Sequence, residues 1–152
     1  ETLVIQESAK AGEYGNFDYH NKHFLVAEDN ELNAEIICQL LAMEGADAVL
    51  AGNGREAVEI FKQSGEQCYD AVLMDVQMPV MNGYDSTRAI RGLDRPDARR
   101  IPIIAMTADA FAEDIQKAKE AGMNAHVAKP VDMKLLSEAL REVVGEREDT
   151  IV

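Results

Sequence analysis

The sequence predicts an α/β protein built on a single parallel sheet, and three observations carry that prediction. Short apolar runs alternate with longer amphipathic segments from Phe24 to Val144. The runs are near-continuously apolar rather than alternating, as strands covered on both faces are. Five such strand-then-helix units follow one another, the pattern of a parallel sheet with helices on both faces. No unit repeats in sequence, which excludes a solenoid.

The elements follow in order. FLVA (24–27) reads as the first strand, and Leu32, Ile36, Leu40 and Met43 recur at helical spacing after it. Gly45 is placed to end that helix at its C′ position. ADAVLA (46–51) is the second strand; Asn53-Gly54 then turns the chain into a helix with Val58 and Phe61 on one face. YDAVLM (69–74) is the most apolar strand and is expected at the centre. Gly83 to Arg91 forms a short helix, and the Arg- and Pro-containing stretch up to Arg100 reads as a solvated loop. IPIIAM (101–106) is the fourth strand, followed by a helix with Phe111, Ile115 and Ala118 on one side and a Glu113–Lys117 pair at i,i+4. AHVA (125–128) is the fifth, broken by Lys129-Pro130. Asp132 can cap a last helix bearing Leu136, Leu140 and Val143.

The bulk numbers bound the function. A chain of 152 residues, 47% apolar and 28% charged, suits one globular domain. A net charge of −13 lacks the basic face that nucleic-acid binding needs. No apolar run approaches the about 20 residues that span a bilayer, and no signal peptide is evident. Cys38 and Cys68 cannot make a disulfide framework, so a cytoplasmic setting is expected, with Cys38 as a small packed hydrophobe. Residues 1–22 lack a sustained period and read as a linker or the end of a preceding module. Residues 23–144 then make the domain and 145–152 a polar, frayed tail. With a first residue of Glu1, this suggests a piece of a longer protein. His20 and His23 lie without metal-spaced partners and are expected to be solvated.

In a doubly wound sheet, ligands bind outside the carboxyl ends of the strands. Those ends carry Glu28 and Asp29, the Gly52-Asn53-Gly54 turn, Asp75, Thr107 and Lys129. Taken singly, each has an ordinary reading as a helix cap or a surface charge. Taken together, three acids crowd one rim, where like charges oppose each other by on the order of 4 kcal/mol per close pair at intermediate dielectric. A divalent cation removes that conflict, and Mg²⁺ prefers one or two carboxylates, waters and phosphate oxygens. A lysine and a hydroxyl beside it are what a phosphoryl group needs. The central carboxylate, Asp75, could then be the nucleophile that forms an aspartyl phosphate. GNGREA (52–57) has neither the Walker lysine nor the full dinucleotide spacing, so no nucleotide cofactor is expected.

AEDNELN, VLMDVQMPVMNG, IIAMTA and AKP, in this order and spacing, resemble the receiver domain of two-component response regulators. The resemblance runs from about Phe24 to Val144. It implies a flavodoxin-like (βα)5 fold with strand order 2-1-3-4-5. It makes Asp75 the phosphoacceptor for a kinase's phosphohistidine, in a reaction needing Mg²⁺ or, as an alternative, Mn²⁺. Asp29 would be a direct metal ligand, Glu28 a ligand through water, and the backbone carbonyl of Gln77 another. Lys129 would be the ion-pair partner, joined by a cis bond to Pro130. Thr107 would be the switch hydroxyl, and Gly83 would relieve the turn after the acceptor loop. His126 stands where the switch ring is usually Tyr or Phe; a lone strand histidine is otherwise a packed or rim residue. The Glu-Asp-Asn form of the acidic motif points to a receiver attached to a hybrid sensor histidine kinase.

The implied domain is a monomeric phosphoacceptor with slow autodephosphorylation rather than a turnover enzyme. Gln77 and Asp109 would flank the path of the attacking water. Its output surface would be the last two helices and strand five, including 111–119 and His126. Its partners would be a histidine kinase domain or a histidine phosphotransfer domain, with no nucleic acid and no membrane contact. Two alternatives stand beside it. A haloacid-dehalogenase-type phosphatase needs an acid two residues after the nucleophile, where this chain has Gln77. A receiver-like binding module without phosphorylation would be expected to lack a site residue, and none is missing.

Overall fold

The computed structural model describes residues 17–108 and 112–151. Five strands, β1 (His23–Ala27), β2 (Asp47–Ala51), β3 (Ala71–Asp75), β4 (Ile103–Thr107) and β5 (Ala125–Ala128), form one sheet of order β2-β1-β3-β4-β5. Every neighbouring pair is parallel. The helices are α1 (Glu31–Met43), α2 (Gly54–Gln63), α3 (Gly83–Arg91), α4 (Pro96–Arg100), α5 (Ala112–Ala121) and α6 (Met133–Ile151). The expected sheet and its order are therefore present, with β3 at the centre.

Strand alternation divides the core between the two faces. Leu25, Val72, Met74 and Ile103 pack with Phe61 of α2, Ile90 of α3 and Ala118 of α5. Phe24, Val26, Leu73 and Ile104 pack with Ile37 and Leu41 of α1 and Leu136 and Leu140 of α6. Three asparagines start the helices that leave β1, β2 and the loop after β3. The Asn30, Asn53 and Asn82 side chains accept from the N–H groups of Asn33, Glu56 and Asp85 at 3.0, 2.9 and 2.9 Å. Each satisfies a donor the helix cannot, a contribution of about 1 kcal/mol.

Four expectations change. Helix α1 forms, but it buries Ala34, Ile37 and Leu41. The Leu32–Ile36–Met43 stripe faces out, at 65%, 46% and 79% exposure. α1 is apolar on nearly every side, so periodicity alone does not select the covered face. The Arg-rich stretch is not only a solvated loop: it contains α4, and two of its four arginines, Arg91 and Arg95, are used internally while Arg99 and Arg100 stay exposed. Arg95 lies 4.7 Å over the Phe61 ring and donates to the carbonyls of Phe61 and Ser64 at the end of α2. Arg91 donates to the carbonyls of Gly122 and Ala98, and burial lowers its guanidinium to about 10.

Residues 17–22, directly before β1, are also more integrated than a linker. Tyr19 is buried, stacks edge-on with Phe17, and sits 2.7 Å from Ser137 Oγ of α6. Ser137 donates to the Met133 carbonyl, so the phenol donates to Ser137. Burial pushes that phenol up to about 12. His23 opens β1, with its exposed ring 2.6 Å from Asp47 Oδ1. Beyond residue 144 the backbone is helical, as part of α6, rather than a frayed tail. Phe111 and Asp109, and the side chain of Glu113, lie outside what the structure describes. Among the described residues, no helix is long and apolar enough to cross a membrane.

Candidate functional site: an acidic cleft at the carboxyl rim

The parallel ladder continues one residue past the strands and fixes the rim. Glu28 N–H donates to the Ala51 carbonyl, Val76 N–H to Met106 and Lys129 N–H to Thr107, at 3.0, 3.0 and 2.9 Å. The side chains on either side of these bonds therefore share one rigid edge. They enclose a cleft of about 240 Å³ whose lining includes Glu28, Asp29, Asp75, Gln77, Thr107 and Lys129. All six residues singled out in the sequence for the acceptor and metal roles meet in this space.

Asp75 ends β3 at the floor, 3% exposed, and Glu28 is equally buried beside it. Lys129 Nζ bridges them, 3.1 Å from Glu28 Oε1 and 3.1 Å from Asp75 Oδ2. Glu28 Oε2 accepts the Asn30 N–H at 3.1 Å, and Asp75 Oδ1 the Gln77 N–H at 3.3 Å. Burial pushes the Asp75 carboxyl up; the bond from Lys129 opposes this and the charge of Glu28 adds to it, leaving it at about 6. Burial works against the Lys129 ammonium, but its bonds to Asp75 and Glu28 outweigh that and raise it.

One oxygen each from Glu28, Asp29 and Asp75 lie within 4.8 Å of one another. Three carboxylates face a single ammonium, so two negative charges are left without a counter-charge. A hard, all-oxygen donor set with that imbalance fits a divalent cation of the Mg²⁺ type.

Gly83 has a sharper role than easing a turn. A Cβ there would lie 2.2 Å from the Asp75 carbonyl oxygen, so only glycine lets α3 start against the end of β3. The Lys129-Pro130 bond is cis, as expected. His126 projects from β5, exposed, and lines a small cavity with Val76, Tyr84, Ala105 and Thr107. Asn33, which was not singled out, lines the cleft and also an adjoining groove of about 330 Å³ with Ile36, Pro130 and Val131. Its signal was its place three residues after the Asn30 cap, in the turn of α1 that faces the rim.

An acidic cluster, a lysine and a hydroxyl at the carboxyl rim of a β2-β1-β3-β4-β5 sheet define the receiver class of signalling domain. The chain belongs to the response regulator receiver domain family, whose model matches residues 24–141. It is 41% identical over 118 residues to hybrid signal transduction histidine kinase I of Dictyostelium discoideum, an alignment covering 76% of this chain and 7% of that protein. It is thus homologous to the receivers of hybrid histidine kinases, and spans a small part of their length. Among solved structures it resembles the receiver domain of sensor histidine kinase PA1611 of Pseudomonas aeruginosa PAO1, at 38% identity and TM-score 0.72, covering 82% of this chain and 98% of that one. That domain holds a magnesium ion in its active-site cleft. It also resembles a chain in the co-crystal of the Saccharomyces cerevisiae phosphotransfer protein Ypd1 with the receiver domain of Ssk1, at 31% identity and TM-score 0.72, covering 84% and 92%. The chain is a receiver domain of two-component phosphorelay signalling, and nothing in the comparisons supports a phosphatase or a non-phosphorylated module.

Proposed function

We propose that Asp75 is the phosphoacceptor, taking a phosphoryl group from a phosphohistidine. The observation that carries this reading is a buried carboxylate, 3.1 Å from a lysine ammonium, at the floor of a cleft open to solvent. A carboxylate oxygen of Asp75 attacks phosphorus as the N–P bond of the donor breaks, and the imidazole leaves with the bonding pair and takes up a proton. A Mg²⁺ ion held by Asp29, Asp75, the Gln77 carbonyl and, through water, Glu28 would supply charge neutralisation to the phosphoryl oxygens, with Mn²⁺ as an alternative. Lys129 keeps its ammonium beside the acceptor and is positioned to meet a phosphoryl oxygen. Thr107 lines the same cleft from the end of β4 and supplies a hydroxyl to the product. The reaction yields a phosphorylated protein, not turnover.

The surface change would run from Thr107 to the β5 and α5 side. The cavity shared by Thr107 and His126 supports this, since it gives both side chains a common space beneath the surface. The partner would be a histidine kinase domain or a phosphotransfer domain, met on the cytoplasmic side within a hybrid kinase system. The groove beside Ile36, Pro130 and Val131 shares Glu28, Asn33 and Lys129 with the acceptor cleft, which supports approach by a protein rather than only a small donor. The test is incubation with Mg²⁺ and acetyl phosphate, followed by peptide mass analysis. A base-labile adduct on Asp75, absent in Asp75→Asn, is expected; an adduct on another residue, or none on a folded chain, refutes the reading.

A further inference from the structure

Tyr19 and Ser137 form a buried polar pair where apolar side chains alone would fill the space. Tyr19 is 3% exposed and Ser137 fully buried. Tyr19 belongs to the cluster that holds Phe24, Leu136, Leu140 and Val143, with Phe17, Val131 and Met133 packed against it. The phenol donates to Ser137 Oγ at 2.7 Å, and Ser137 donates at 2.7 Å to the carbonyl of Met133, the first residue of α6. Buried hydroxyls cost free energy unless they are paired, and a hydrogen bond is directional. The pair therefore fixes one seat for this segment on α6, where an apolar contact could slide. The other end is fixed as well. Asn21, at φ 61°, turns the chain and donates its N–H to the Gly45 carbonyl beyond α1 at 3.0 Å, while the Lys22 N–H closes onto the Tyr19 carbonyl at 3.0 Å. Residues 17–22 are thus a strap tied to the end of α1 and to the first turn of α6.

That turn of α6 also ends a short path from the acceptor cleft. Lys129 Nζ lies 3.1 Å from both the Asp75 and the Glu28 carboxylate, and the Lys129 N–H is held to the Thr107 carbonyl at 2.9 Å. Pro130, Val131 and Asp132 alone separate Lys129 from Met133. Asp132 caps the helix, accepting the Lys134 N–H at 2.7 Å. A phosphoryl group on Asp75 would turn the carboxylate that Lys129 touches into an acyl phosphate, with its charge farther out on the phosphoryl oxygens. The ammonium follows that charge. With the Lys129 N–H held to β4, the backbone adjustment falls on residues 130–132 and the turn they lead into.

We propose that residues 17–22 restrain α6 in its unphosphorylated position through the Tyr19–Ser137 bond, and that phosphorylation of Asp75 loosens this strap, carrying the state of the acceptor to the chain that precedes the domain. This rests on Asp75 being the acceptor. Tyr19 touches no reacting atom and acts by position. Coupling between two sites is reciprocal, so a strap that phosphorylation weakens must, when weakened by substitution, favour the phosphorylated form.

The test uses the 152-residue chain with Tyr19→Phe and Ser137→Ala, each of which removes the bond and keeps the apolar packing. Calorimetric titration with beryllofluoride in Mg²⁺, an equilibrium analogue of the phosphoryl group, reads the affinity of the acceptor site. Amide exchange at Asn21 and Lys22 reads the strap. In the unaltered chain beryllofluoride is expected to speed exchange at both amides about fivefold, the effect of one hydrogen bond. Both variants are expected to bind beryllofluoride about fivefold more tightly, through the same coupling. Asp75→Asn should show no change in exchange. Exchange at Asn21 and Lys22 that does not respond to bound beryllofluoride, or variants with unchanged or weaker affinity, overturns the proposal and leaves the bond a structural one. If neither acetyl phosphate nor beryllofluoride with Mg²⁺ reaches Asp75 in the unaltered chain, the acceptor reading falls and the proposal with it.

Discussion

Replacing Asp75 by asparagine should make the protein more stable, and the gain should depend on pH. Asparagine keeps the size and one acceptor oxygen, so Lys129 keeps a partner, but the buried charge is gone. The folded carboxyl lies at about 6 against an ordinary value of 3.8. A carboxyl raised by folding binds its proton more tightly in the native state than in the unfolded chain. Stability of the unaltered protein therefore falls as pH rises from 4 to 6 and stays at the lower level above that. At 1.36 kcal/mol per pKa unit the gap amounts to about 3 kcal/mol, an upper figure because Asp75 shares its lysine with a second buried carboxylate. Urea unfolding in EDTA at pH 4, 5, 6 and 7.5 measures it. Asp75→Asn should match the unaltered protein at pH 4 and exceed it by about 1 to 3 kcal/mol at pH 7.5. Mg²⁺ at tenfold over its dissociation constant should then stabilise the unaltered protein by about 1.4 kcal/mol and the variant much less. Equal stability at pH 7.5, or a gain already complete at pH 4, refutes the idea that Asp75 is held as an uncompensated charge.

Two further substitutions test the scaffold. Gly83→Ala should destabilise by about 3 kcal/mol or more, because its Cβ would meet the Asp75 carbonyl oxygen at 2.2 Å; a variant with an unchanged urea midpoint contradicts this. Tyr19→Phe should lose about 1 kcal/mol, the bond to Ser137. With the phenol raised to about 12, the unaltered protein should also lose stability as pH rises from 10 towards 12, a decline that Tyr19→Phe should lack. Matching alkaline profiles for the two proteins would place Tyr19 outside the folded unit.

The cluster at the carboxyl rim was legible in the sequence because it follows from two local signals. Apolar runs mark the strands, and the residue after each run marks the rim. Asp75 and Lys129 could be placed together on that basis although 54 positions separate them. What was not legible depends on which groups are near in space. Nothing local in RGLDRPDARR says that Arg95 closes the end of α2, 31 residues earlier at Ser64. Likewise, Tyr19 meets Ser137 across a separation of 118 residues, so no pattern within 1–22 could report it. Gly83 was recognised for the wrong reason, since a turn glycine and a close-approach glycine look alike in sequence.

Helix α1 shows a different limit. Periodicity reports which positions are apolar, and a domain that must also meet a partner carries more apolar surface than its own core uses. Ala34, Ile37 and Leu41 suffice to cover the sheet. Leu32, Ile36 and Met43 are apolar without being covered, and Ile36 lines the groove that shares Glu28, Asn33 and Lys129 with the cleft. An isolated exposed leucine calls for no explanation. An exposed apolar side chain in a groove that opens onto a cleft with a buried carboxylate is different, because a protein donor reaching that carboxylate would cover it. The outward stripe of α1 is then surface the fold does not need, near a buried charge, Asp75, that it would be more stable without.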